Sequence, residues 1–135
     1  MRVLVCGDRA WNDRFIIAVI LNGFLGIAIG EFDDLVVIDG AAKGADTMAG
    51  EWYGGSEDNV HAIHESVTHV RFPAEWDKHG KAAGPIRNTQ MLRDGQPDIV
   101  VAFNNDLENS KGTKDMVRQA MRAGIPVYNV RRMNP

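Results

Sequence analysis

The chain has a single cysteine, Cys6, in 135 residues. No internal disulfide framework is possible, and a reducing compartment such as the cytoplasm suits it. A basic excess is also missing, because 15 Lys and Arg face 18 Asp and Glu, a formal charge of −3. Proteins that grip duplex DNA carry a cationic surplus that displaces phosphate counterions, so a duplex nucleic-acid partner is disfavoured. Arg131 beside Arg132 is the one adjacent basic pair. No uninterrupted apolar run reaches the ~18 residues a membrane span needs, so no membrane association is expected. Met1 to Gly7 is apolar too briefly for a signal peptide and reads as a strand. Low-complexity tracts, internal repeats and linkers are absent. With 44% hydrophobic and 24% charged residues, the chain has an ordinary globular composition, and residues 1–135 fit one domain.

What is present is a regular alternation. Short segments rich in β-branched residues fall at 2–6, 34–39, 66–72, 98–103 and 126–130. Two of them, "LVVID" and "DIVVAF", are almost continuously apolar, as parallel strands covered on both faces must be. Helical spacing of apolar residues occupies 12–28, and shorter helices fit 45–53 and 85–93. The stretch 113–123 places Met116, Val117, Ala120 and Met121 on one face and closes on Gly124 and Pro126. The expected fold is therefore α/β: a single-domain, Rossmann-like open parallel sheet of about five strands with helices on both faces. Residues 54–65, rich in Gly, Ser and Asp, read as a flexible insertion. His61 and His64 within it lack partners in a metal-like pattern, so no metal site is expected. Connections 73–84 and 104–111 are long for plain connectors, as functional loops often are.

In such a sheet ligands bind beyond the carboxyl ends of the strands, at the switch in strand order. After the first strand, Gly7 allows a sharp turn, and Arg9 offers a planar fork for phosphate or carboxylate. Trp11 either stacks on a base or covers the core edge, and Asn12 or Asp13 caps the next helix. After the second strand, Gly40, Lys43, Gly44 and Asp46 either form a tight turn or let backbone amides approach an anion. The P-loop spacing is missing. After the fourth strand, Asn104 and Asn105 suit a sugar or base, and Gly112 and Thr113 begin a helix whose free amides face the same crevice. Read alone, that segment is equally an Asn-rich turn with a Thr cap. Three such loops on one sheet edge favour a shared anionic ligand.

Four blocks, "CGDRAWND", "DGAAKGADTMA", "PAEWDKHGKAAGPIRNTQM" and "DIVVAFNNDLENSKGTKDMVRQAMRAGIPVYNV", resemble the YspA-like branch of the SLOG (SMF/DprA–LOG) superfamily. The resemblance implies a Rossmann-like fold that binds nucleotides or nucleotide-derived ligands, with no separate cofactor, and it admits a homodimer. LOG relatives cleave the N-glycosidic bond of nucleoside monophosphates, using an R-K-x-x-M helix and a P-G-G-x-G-T-x-x-E loop. Arg87 matches the functional arginine, Asn88 replaces the lysine, and Gly112-Thr113 is retained. The catalytic glutamate falls on Met116, which can neither carry charge nor move a proton. Asp115, the nearest acid, lies one helical step of ~100° away. The expected function is thus nucleotide binding for sensing or sequestration. The alternative is a hydrolase with its acid relocated to Asp8 or Asp46. Single-stranded DNA binding, as in DprA relatives, ranks third.

Overall fold

The computed structural model describes residues 1–31, 34–54 and 65–132. The predicted insertion at 54–65, with His61 and His64, lies almost wholly outside them. Five parallel strands form one sheet: β1 (Arg2–Gly7), β2 (Leu35–Asp39), β3 (Val67–Arg71), β4 (Ile99–Phe103) and β5 (Val127–Val130), in the order β3-β2-β1-β4-β5. All four pairings are parallel, with Val5 beside Val101 and Val3 beside Val37 at the centre. Each strand falls within a residue or two of its sequence-based position.

Alternation along the central strands divides the core in two. Val3, Val5, Val101 and Phe103 point to one face, where α1 (Arg14–Glu31) and α2 (Ala45–Gly54) cover them. Leu4, Cys6, Val100 and Ala102 point to the other, beneath α4 (Ala83–Gly95) and α5 (Lys111–Arg122). Strands buried on both faces must be apolar throughout, which is why "IVVAF" carries no polar residue. A fully buried side chain such as Phe103 contributes about 1.5–3 kcal/mol relative to exposure.

Helix ends follow local chemistry. Asp13 Oδ1 accepts the Ile16 amide at 3.1 Å, so Asp13 rather than Asn12 is the cap of α1. At the end of α5, Gly124 adopts φ +74°, and the Ile125 amide returns to the Ala120 carbonyl at 2.9 Å. That is the six-to-one closure in which glycine is favoured.

α1 is 18 residues long and, by length and composition, apolar enough to cross a membrane. Asn22, Gly23, Gly26 and Gly30 break its apolar run without lowering the average enough to exclude it. One side packs into the core through Ile17, Leu21 and Ala28, while Phe15, Val19, Ile27 and Ile29 stand exposed. The long 73–84 connection also has structure of its own: α3 (Trp76–His79), then a 3₁₀ turn at Gly80–Ala82.

Candidate functional site

The chain builds β1, β2 and β3 outward in one direction, then returns to place β4 on the other side of β1. The strand order therefore switches between β1 and β4, where loops diverge and leave a crevice. A cleft of about 620 Å³ opens there, lined by the loop after β1, the starts of α2, α4 and α5, and the α3 segment. Cys6, Met91 and Met116 are among its lining residues and are all buried. Arg9, Lys81, Arg87 and Lys111 also line it, against two carboxylates, Asp8 and Asp46. An acidic protein thus concentrates cations at this crevice.

Close packing dictates the glycines. A Cβ on Gly7 would stand 2.5 Å from the Phe103 carbonyl oxygen and 2.8 Å from Ala45 Cβ. Gly44 adopts φ +79°, and a Cβ there would come within 2.2 Å of the Asp8 carbonyl oxygen. The first two strand-to-helix loops can lie against each other only because these positions lack side chains.

Arg87 is held from two sides. Its Nη1 donates to the Gly40 carbonyl at 2.5 Å, and its Nε donates to Asn88 Oδ1 at 3.1 Å. Burial pulls its pKa down from the ordinary arginine value, opposed chiefly by the Asp46 charge. Asn88 is itself buried; its Nδ2 donates to the Gly112 carbonyl and to Asp115 Oδ2 at 3.2 and 3.0 Å. Where the LOG pattern has lysine, this chain has a neutral connector that ties α4 to the start of α5. Asp115 also accepts a bond from Gln119 and does not line the cleft, whereas Met116 does. Met116, the residue the LOG resemblance sets at the acid position, is thus on the lining while the nearest acid is not.

Asp46 is 4% exposed yet lines the cleft. The Gly40 and Ala42 amides both donate to its Oδ2, at 2.9 and 3.2 Å. Burial, then the neighbouring Asp39 carboxylate, pushes its pKa up to about 7; the two amides and Arg87 oppose that rise. Burial also raises the Cys6 thiol, and Asp46 adds to the effect. A thiol held in this way is poorly suited to act as a nucleophile. Asp8 Oδ1 accepts the Ala10 amide at 2.8 Å and so shapes its own turn.

The other residues singled out in the sequence are placed as follows. Gly7, Arg9, Asp46, Arg87, Asn88, Gly112 and Thr113 come together around the cleft. Trp11 does not join them: it is 5% exposed, its Nε1 donates to the Asp13 carbonyl, and its ring packs 5.6 Å from that of Phe103. Gly40 acts from behind Arg87, and Gly44 from behind Asp8. Lys43 is exposed and outside the lining. Asn104 is buried, with its Oδ1 accepting the Asp106 amide and no hydrogen-bond partner for its Nδ2 among the described residues. Asn105 Oδ1 accepts the Arg132 amide and ties down the segment after β5. Trp76, Lys81, Ser110 and Lys111, none of them marked as a site residue by the sequence, also line the cleft. The signal available was the quoted "PAEWDKHGK" block, which pairs an aromatic with a cation in a long connector.

A parallel α/β sheet in the order β3-β2-β1-β4-β5, with a cleft at its switch point, is a Rossmann-like architecture. The model of the YspA, cpYpsA-related SLOG family matches residues 1–79. The chain is also 39% identical over 128 residues to the Gene 61 protein of Mycobacterium phage D29, an alignment that covers 95% of this chain and 94% of the phage protein. The chain belongs to the YspA, cpYpsA-related SLOG family. No solved structure matches it significantly.

Proposed function

We propose that this chain binds a nucleotide or nucleotide-derived anion in the switch-point cleft, as a cytoplasmic sensing or sequestering module. The observation that carries this reading is the fixed position of Arg87, locked by Gly40 and Asn88 beside the α5 N-terminus. Amides at a helix start and a preorganised guanidinium are suited to a phosphate. Arg9, Lys81 and Lys111 supply further cations. Met116 favours binding over LOG-type cleavage, because no carboxylate occupies the position the resemblance requires.

Native mass spectrometry with nucleoside monophosphates, ADP-ribose, NAD and cyclic dinucleotides tests the proposal. A retained, unaltered ligand is expected, with affinity about 10- to 100-fold lower in Arg87→Ala, since charge-assisted hydrogen bonds contribute about 1.5–3 kcal/mol. No retention of any panel member would refute it.

Asp46 supports a second reading. A carboxyl group that lines the cleft with its pKa raised to about 7 is tuned for general acid–base work. In that case a panel member is cleaved over time, and Asp46→Asn retains binding while abolishing turnover. The phage relative is compatible with a phage setting for either activity. The exposed Phe15, Val19, Ile27 and Ile29 on α1 support a homodimer face.

A further inference from the structure

Trp76 is 49% exposed, lines the cleft, and belongs to neither hydrophobic core cluster. A singly exposed aromatic is ordinary by itself, but this one stands on the wall of the cleft beside a cation from another connection. The Arg9 guanidinium lies over the indole with its carbon 5.7 Å from the ring centroid, so the loop after β1 and the start of α3 meet at the cleft wall. Gly80, at φ +56°, turns the chain directly after α3, and Lys81 follows on the same lining. The ring's Cη2 comes within 3.5 Å of where a Gly84 Cβ would stand, so the indole leans on the start of α4.

We propose that Trp76 is a base-stacking platform, and that a planar base enters between its indole and the Arg9 guanidinium while the phosphate reaches Arg87. The inference rests on the nucleotide reading of the cleft and specifies what the ligand must carry: a flat aromatic ring joined to an anionic group. Two stacked layers need about 7 Å, roughly 3.5 Å each. Arg9 is exposed on a loop, so it can yield the short remaining distance. Stacking reads the π-face common to all bases, so the subsite tolerates different bases and favours larger rings.

The test uses AMP and ribose 5-phosphate, which differ by the base alone, titrated calorimetrically and by tryptophan emission. AMP is expected to bind more tightly than ribose 5-phosphate. Trp76→Ala should weaken AMP about 10-fold or more, while ribose 5-phosphate is unchanged and the melting temperature holds. Trp76→Phe should restore most of the AMP affinity. Emission should change with AMP and not with ribose 5-phosphate, and the change should vanish in Trp76→Phe, where Trp11 and Trp52 remain. Equal affinities for AMP and ribose 5-phosphate, or equal losses in Trp76→Ala, would overturn the stacking role and leave phosphate binding intact. Failure of the parent to bind either compound would overturn this proposal; failure across the wider nucleotide panel as well would overturn the nucleotide reading itself.

Discussion

The Gly40 carbonyl accepts a hydrogen bond from Arg87 Nη1 at 2.5 Å, and a Cβ at position 40 would stand 2.5 Å from that same nitrogen. A glycine on one loop thus seats the arginine of a helix 47 residues away. Gly40→Ala collides with the far end of a flexible side chain rather than with backbone, so the fold can adjust cheaply while the guanidinium is displaced. We expect AMP affinity to fall about 10-fold or more, approaching the Arg87→Ala value, with stability reduced by less than about 1 kcal/mol. Calorimetric titration with a parallel thermal melt checks both halves. Unchanged affinity would show that the seat does not matter.

Gly44 behaves in the opposite way. Its φ of +79° disfavours a side chain, and an added Cβ would meet the Asp8 and Arg9 carbonyl oxygens at 2.2 and 2.7 Å. Backbone cannot swing aside, so Gly44→Ala should cost more than about 2 kcal/mol. In contrast, an added Cβ at Gly23 or Gly26 on α1 meets nothing within 4 Å. Alanine there should raise stability by about 0.5–1 kcal/mol at each position, through helix propensity alone. Urea unfolding of the three variants provides the comparison, and similar effects at all of them would contradict this account.

The link between α4 and α5 makes a sharper prediction, because its donor and acceptor can be exchanged. Asn88 Nδ2 donates to Asp115 Oδ2 at 3.0 Å, and Asn88 Oδ1 receives Arg87 Nε. Asn88→Asp removes the donor and places two carboxylates face to face, at an expected cost of about 2–4 kcal/mol at neutral pH. Adding Asp115→Asn reverses the direction of the bond, keeps an acceptor for Arg87, and should recover much of that loss. In the double variant the Gly112 carbonyl lacks its donor and Gln119 Nε2, which shares Asp115 Oδ2, loses its acceptor, so recovery stops short of complete. A double-mutant cycle without coupling would show that the two side chains do not interact in solution.

How far the sequence could be read depended on whether the deciding contacts were local. β4 was legible because burial on both faces demands a continuous apolar run, and the end of α5 because Gly124 and Pro126 follow an amphipathic period. α3 was not, since Trp76–His79 is one turn long and carries no period to detect. Two tryptophans show the same limit at the site. Trp11 and Trp76 both sit in polar connections after strands, but Trp11 folds its ring onto Phe103 of β4 while Trp76 faces Arg9. Nothing near either residue in the chain encodes those partners. Asn104 and Asn105 likewise read as ligand contacts until β5 and the segment after it claim their neighbourhood, through the Asn104 amide to the Val130 carbonyl and Asn105 Oδ1 to the Arg132 amide. Arg87 was legible through the resemblance, and its seat on Gly40 was not.

Asp46 should make folding depend on pH in the direction opposite to a salt-bridged carboxylate. Its native pKa is raised to about 7, against the ordinary aspartate value near 4 in the unfolded chain. Between those values the native state holds a proton that the unfolded state has released. The associated stability is therefore complete below about pH 4 and is lost as pH rises through about 7. Both amide donors converge on Oδ2, so an asparagine can accept them through its own oxygen and mimic the protonated acid at every pH. The stability of Asp46→Asn relative to the parent should be near zero around pH 4 and grow toward pH 8, by at most about 4 kcal/mol. Chemical denaturation of both proteins across that range isolates Asp46, since every other titrating group is shared. A difference that stays flat with pH would mean that Asp46 titrates as an ordinary carboxylate, and the acid–base reading of the cleft would lose its support.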